Sequence, residues 1–297
     1  MKELVVISGK GGTGKTSVAA ALATLSGKAV LADCDVDAAD LYLIVAHEVI
    51  ERGPFRSGKT ASVIVDRCVG CAKCAELCRF GAVSFDGPGN GGVEKTARID
   101  RYLCEGCGVC VRFCPADAIA FEENESGEWF VSRTRLGPMS HAKLGVAEEN
   151  SGKLVTLVRT KARGLAEQEG IELIVVDGSP GIGCPVIASV TGADGALVVT
   201  EPTLSGLHDM KRVCELTRHF NVPTFVCVNK ADLNEELAGR IEEEAGRYGA
   251  RALGRLPYDE SFTAAQMKGR SVVEQSDSPA AERIRGMWKE LHGLLVD

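Results

Sequence analysis

Apolar residues gather along this chain in short unbroken runs, each closed by polar or charged residues. The clearest are Leu4-Val5-Val6-Ile7, Leu173-Ile174-Val175-Val176, Ala196-Leu197-Val198-Val199 and Thr224-Phe225-Val226-Cys227-Val228. Runs of four or five residues rich in Val and Ile predict parallel strands buried on both faces. Residues Lys28 to Asp33 predict another strand, and Trp129-Phe130-Val131 one more. Stretches of helical periodicity separate them: Val18 to Leu25, a segment from Ser151 to about Glu169, and about Ser205 to Phe220. The chain closes with Pro279 to Leu295, where Ile284, Met287, Leu291 and Leu294 recur at helical spacing and predict a helix packed on the sheet. Strands alternating with helices predict an α/β fold with a doubly wound, mainly parallel sheet.

The alternation is interrupted once. Gly, Pro, Arg and Ser accumulate from Gly53 to Lys59, the usual punctuation of a boundary. The α/β pattern returns at Glu128, so Glu122 to Gly127 is expected to close the interruption. Residues 1–55 and 126–297 are therefore expected to form one discontinuous domain, and residues 56–125 a smaller inserted one. The stretch Gly137 to Asn150 carries no assignable chemistry, and His141 within it reads as a structural histidine.

The first run leads into Ser8-Gly9-Lys10-Gly11-Gly12-Thr13-Gly14-Lys15-Thr16-Ser17 and then into the first helix. Gly9 to Thr16 fits G-x-x-x-x-G-K-[ST] in the strand–loop–helix setting its mechanism requires. Backbone N–H groups cradle phosphates there, Lys15 reaches the β and γ oxygens, and the Thr16 hydroxyl holds Mg²⁺. The helix N-terminus adds partial positive charge. Carboxylates stand where a sheet of this class places its ligand: Asp33, Asp35 and Asp37 after the second strand, and Asp177 after the Leu173 run.

Composition narrows the class. An apolar content of 45% in 297 residues suits a globular chain, and a net charge of −7 argues against a broad nucleic-acid surface. The N-terminus is too short and too charged for a signal peptide, and no apolar run reaches membrane-spanning length. Twelve cysteines in such a chain point to a reducing cytoplasm and to metal chemistry. Eight of them fall in two runs, Cys68-x₂-Cys71-x₂-Cys74-x₃-Cys78 and Cys104-x₂-Cys107-x₂-Cys110-x₃-Cys114-Pro115, repeated at an offset of 36 residues. Each run is similar to that of bacterial two-cluster ferredoxins, in which the fourth cysteine ligates the other cluster. That likeness implies two [4Fe–4S] clusters, one on Cys68, Cys71, Cys74 and Cys114, the other on Cys104, Cys107, Cys110 and Cys78. Zinc in Cys₄ sites is the competing metal. Cys34, Cys184, Cys214 and Cys227 read as buried, inert thiols.

Lys10, beside the first loop glycine, completes Lys-Gly-Gly-Thr-Gly-Lys-Thr, which resembles the deviant Walker A loop of the MinD/ParA/Mrp family. The resemblance implies ATP and Mg²⁺ as ligands, a face-to-face homodimer with ATP, and Lys10 acting in trans as an arginine finger does. It further implies that Asp35 lies near the γ-phosphate and attacking water, and that Asp177 holds the Mg²⁺ shell. Asn229, in Asn229-Lys230-Ala231-Asp232, together with Pro257 and Asp259, would line the purine; Asn-Lys-x-Asp also serves GTPases. MinD proteins end in a membrane-binding helix, but Glu282, Glu290 and Asp297 make membrane contact by this one unexpected. Three function classes follow: ATP-gated electron transfer to a redox partner, iron–sulfur cluster delivery to an acceptor, and ATP-driven positioning with the clusters as redox sensor.

Overall fold

The apolar run Leu4–Ile7 lies inside β1 (Lys2–Ser8), which leads through the glycine loop into α1 (Lys15–Leu25). After β2 (Val30–Asp33) and the short α2 (Leu41–Val45) comes the long β3 (His47–Val63). Next are α3 (Lys73–Leu77), β4 (Val83–Gly87), β5 (Thr96–Ile99) and α4 (Val109–Arg112), followed by β6 (Ile119–Thr134) and β7 (Gly137–Leu144). The rest alternates: α5 (Ser151–Glu169), β8 (Leu173–Pro180), α6 (Cys184–Val190), β9 (Gly195–Thr200), α7 (Leu204–His219), β10 (Thr224–Val228), α8 (Glu235–Arg247) and β11 (Arg251–Arg255). Three helices close the chain, α9 (Ser261–Gln266), α10 (Val272–Gln275) and α11 (Pro279–Val296). This computed structural model describes residues 1–145 and 151–296. The stretch Gly137 to Asn150 therefore lies partly outside the described residues.

Nine strands form one sheet in the order β11-β10-β9-β1-β8-β2-β7-β6-β3. Pairing is parallel from β11 through to β7. β6 and β7 are joined by two residues only, a connection that makes neighbouring strands antiparallel. Leu4 and Val6 pack with α1 and α11, while their alternates Val5 and Ile7 are equally buried, as strands covered on both faces require. In α11 the buried stripe is Ala280, Ala281, Ile284, Met287, Trp288, Leu291 and Leu295. Leu294, expected in that stripe, is 41% exposed; Leu295, four residues beyond Leu291, takes its place.

The chain divides into two compact units, one comprising Met1–Gly53, Glu128–Leu144 and the chain from Ser151 onward, the other Pro54–Gly127 with Gly145. The divisions fall at Gly53–Pro54 and Gly127–Glu128. Gly53–Lys59 lies inside β3 and Glu122–Gly127 inside β6, so both stretches are extended strand. The Ser126 hydroxyl donates to the Ser57 carbonyl at 2.8 Å, which satisfies polar residues of both stretches. β7 escaped detection because buried Ser140 and His141 break its apolar run. The His141 ring meets the Ser132 hydroxyl at 2.8 Å, and burial, with His47 nearby, pulls its pKa down to about 4, so the histidine is structural and neutral.

At the opposite end of β1 from the loop, Glu3 is buried. Its carboxylate accepts Arg159 Nε at 2.5 Å and Arg163 Nη2 at 2.6 Å, and Arg159 also donates to the Ala188 and Thr191 carbonyls. One carboxylate thus joins α5 and the end of α6 to the central strand. A buried ion pair that loses one partner leaves the other charge uncompensated, which costs about 3–5 kcal/mol. Glu3→Gln is expected to lower unfolding free energy by about 3 kcal/mol in urea titrations.

Candidate nucleotide site and cysteine cavities

Gly12 and Gly14 hold positive φ angles of 81° and 87°, and Gly14 is the residue from which α1 starts. A Cβ on Gly14 would come within 2.5 Å of the Asn229 amide nitrogen, and one on Gly9 within 2.2 Å of Asp209 Cβ. Close approach therefore dictates both glycines, and conformation dictates Gly14 as well. The loop borders an open cleft of about 1100 Å³ empty volume, part of it solvent. Residues Gly11 to Ser17 form one wall; Asp35, Asp37, Asp40, Ser179, Pro180 and Gln266 are among those completing it.

The β1, β2 and β8 register brings the charges together. Asp33 and Asp177 are direct neighbours across β2 and β8. Lys15 Nζ lies 2.7 Å from Asp177 Oδ1, 3.4 Å from Asp35 Oδ2 and 3.4 Å from Thr16 Oγ1. Burial works against the Lys15 ammonium, but Asp177 and Asp35 outweigh it and raise its pKa above the usual lysine value. Burial, and then the Asp177 charge, push the Asp33 carboxyl well above the carboxylate range. Burial likewise raises Asp35, with Lys15 opposing. Asp33 accepts the Leu41 amide at 3.1 Å and the Asp35 amide at 3.2 Å, clasping both ends of the loop between β2 and α2. Asp177 Oδ2 and Thr13 Oγ1 are buried without a hydrogen-bond partner.

Lys10 reaches Glu201 at 3.1 Å and Thr203 Oγ1 at 3.4 Å. Glu201 also accepts Lys230 at 2.6 Å; burial would raise its pKa, but the two lysines prevail and hold it below the usual value.

In the second unit the eight motif cysteines line two hollows of about 370 Å³ empty volume each, part of it open to solvent. One is walled by Cys68, Cys71, Cys74 and Cys114 with apolar Val63, Phe85 and Ile119 among its neighbours. The other is walled by Cys78, Cys104, Cys107 and Cys110, with Leu77, Phe80 and Ile99 nearby. The Ala118 amide donates to Cys114 Sγ at 3.3 Å. Among the described residues no three Cys, His, Asp or Glu side chains converge as ligands of a single metal ion do.

Residues 4–272 match the CobQ/CobB/MinD/ParA nucleotide binding domain. The chain belongs to that family. An uncharacterized protein of Methanocaldococcus jannaschii is 32% identical over 97% of this chain and 96% of its own length. An iron-sulfur cluster carrier protein of Aquifex aeolicus is 28% identical over 41% of this chain and 37% of its own. In fold, the chain is similar to the septum site-determining protein MinD of Pyrococcus horikoshii, solved with Mg-ADP: TM-score 0.58, 17% identity, covering 99% of this chain and 96% of that one. MinD/ParA members are P-loop ATPases, and this chain is one.

Within this family frame the structure gathers Lys15, Thr16, Asp35 and Asp177 at one point, and sets Lys10 on the same loop, paired with Glu201. Asn229, expected to line the purine, follows β10 directly, and Pro257 and Asp259 follow β11. Asn229 donates to the Thr13 carbonyl at 2.8 Å and accepts the Lys230 amide, so it braces the loop. Asp259 accepts the Ser261 and Ala280 amides; neither it nor Pro257 borders the cleft beside the loop. Cys184, expected buried, is exposed as the first residue of α6, while Cys34, Cys214 and Cys227 are buried. Burial pushes the Cys214 and Cys227 thiols up to about 12, as inert thiols require. Sequence reasoning missed Gln266, whose amide donates to Ser17 Oγ at 2.7 Å, and Glu201; neither lies in a motif.

Lys15→Ala is expected to weaken nucleotide binding and also to destabilise the nucleotide-free protein by about 3–5 kcal/mol at pH 7, because Asp177 and Asp33 lose their cation. The deficit should shrink as pH falls toward about 4, since carboxyls with raised pKa regain stability on protonation. Denaturant titrations at both pH values measure this.

Proposed function

We propose that this protein is an ATP-binding and hydrolysing iron–sulfur protein, in which a nucleotide-dependent dimer is coupled to electron transfer through two [4Fe–4S] clusters. The observation that carries the reading is the partition of the eight cysteines: each cavity is walled by three cysteines of one run and the fourth of the other, the crossed pattern of two-cluster ferredoxins. A zinc ion needs four sulfurs about 2.3 Å from one point, and among the described residues no three cysteines are grouped in that way. Six half-buried thiols, apolar walls and the Ala118 N–H···S bond suit a larger cluster. When bound, such clusters supply one-electron chemistry.

The chain's own residues supply the nucleotide chemistry. Loop amides and Lys15 would hold the phosphates, and Thr16 and Asp177 the Mg²⁺ shell; the unpartnered Asp177 Oδ2 leaves an acceptor for it. Asp35 would stand near the attacking water. The likeness of the loop to the MinD/ParA/Mrp Walker A and the family match favour ATP as the nucleotide. Lys10 on the loop is the residue for transfer across a homodimer, once released from Glu201. Delivery of clusters to an acceptor is the second reading, favoured by the partial likeness to the Aquifex carrier. Iron that stays with the protein while electrons pass to an acceptor supports the first reading; iron that moves to an apo-acceptor supports the second.

Anaerobically purified protein is expected to hold about eight irons per chain and to show two reduced [4Fe–4S] signals by paramagnetic resonance. Cys78→Ser and Cys114→Ser should each damage the cluster built mostly by the other run; stoichiometric zinc without charge-transfer absorption sinks the reading.

Lys10→Ala should leave ATP binding largely intact but abolish ATP-dependent dimerisation and lower hydrolysis. Sedimentation with ATP and Mg²⁺ decides, and wild-type protein that stays monomeric with ATP contradicts the dimer.

A further inference from the structure

β3 is the last strand of the nine, and among the described residues no strand lies on its outer side. Its first seven residues, His47–Gly53, belong to the larger unit and are exposed throughout except for half-buried Gly53. Val49 and Ile50 are 44% and 52% exposed. An edge of this kind carries a row of unpaired N–H and C=O groups and can template another strand. Two features bound the row. Ala46 has φ 46°, which turns the chain out of extended geometry before His47, and Pro54 offers no N–H after Gly53.

The charges along this row are not arranged to repel a second copy. In an antiparallel pair centred on Ile50, Glu48 stands opposite Arg52 of the second copy, and Arg52 opposite its Glu48. Residues 48, 50 and 52 share one face of the strand, so Ile50 then meets Ile50 between two opposite-charge pairs. His47 faces Gly53, a large residue against the smallest. Shifting the centre to the bond between Val49 and Ile50 sets Glu48 against Glu51 twice, and like charges directly opposite destabilise a pair. Neither Glu48 nor Arg52 has a partner of its own among the described residues, whereas Glu51 has Lys161 at 3.9 Å.

We infer that the outer edge of β3 is a nucleotide-independent self-association surface, on which two copies pair antiparallel through His47–Gly53 with Ile50 on the two-fold axis. The occupant is a second copy because the Ile50-centred register sets two Glu48–Arg52 pairs about the axis over the full segment, and Ala46 and Pro54 limit the pairing to that length. The contact is isologous and closes on two copies. Seven residues bury less than the roughly 1,000 Å² of a stable interface, so association is weak, reversible and salt-sensitive.

Sedimentation equilibrium on the full chain without nucleotide tests it. Wild-type protein should show a concentration-dependent dimer that weakens in high salt and persists in Lys10→Ala. Glu48→Arg should raise the dissociation constant about tenfold or more, and Glu48→Arg combined with Arg52→Glu should restore it, since the exchanged charges again face their opposites. Both side chains are exposed, so unchanged circular dichroism and ATP binding confirm that the variants fold. A monomer at every concentration, a dimer indifferent to Glu48→Arg, a double exchange that fails to restore association, or a dimer lost in Lys10→Ala overturns the proposal.

Discussion

One ammonium, Lys15, stands among three carboxylates contributed by two neighbouring strands and the loop that follows one of them. The phosphate cleft depends on this imbalance. Asp177 is completely buried and Asp33 equally so, with Lys15 as the cation close to both, and burial resists every one of these charges. The adjacent register of β2 and β8 forces the carboxylates together; the start of α1 supplies the lysine. A site in this condition gains from a divalent cation and a polyphosphate arriving together, because the cation meets carboxylates in excess and the phosphates meet loop amides and a helix N-terminus.

The two ends of β1 make the contrast plain. At its start, both oxygens of Glu3 are taken by Arg159 and Arg163, and Arg159 is tied further to the carbonyls of Ala188 in α6 and Thr191 just after it. That cluster locks helices to a strand. At its other end Asp177 Oδ2 and Thr13 Oγ1 stay buried without partners. The two buried ionic clusters therefore differ at their carboxylates: Glu3 on β1 is saturated by the fold, though Arg159 Nη2 is left over, and Asp177 on β8 keeps an acceptor for something the fold does not supply.

Lys10 and Asn229 show how the loop is held from the side. Asn229 braces the Thr13 carbonyl and fills the space that a side chain at Gly14 would need. Glu201 occupies Lys10 within the same chain, so the proposed action of Lys10 on a second copy would require exchange of that ion pair for another. Both Asn229 and Glu201 lie just beyond the ends of their strands, where a parallel sheet gathers loops against its ligand.

Local signals were sufficient wherever a residue's role is set by its immediate neighbours. Apolar runs determined β1, β2, β8, β9 and β10 because strands buried on both faces admit little else. The G-x-x-x-x-G-K-T spacing determined the loop because phosphate binding needs glycines and a lysine at fixed backbone positions. The cysteine spacing determined which thiols are grouped by chain position. Tertiary structure decided the rest. β7 is buried with polar residues whose partner, as with Ser132 for His141, comes from another strand. Gly53–Lys59 and Glu122–Gly127 run as strands because each finds hydrogen bonds in a segment far away in sequence. Asn229 braces the Thr13 carbonyl, Cys184 came to the surface, and Glu201 met Lys10, all through the way distant segments are brought together. Spacing within one segment carries no record of what another segment brings to it.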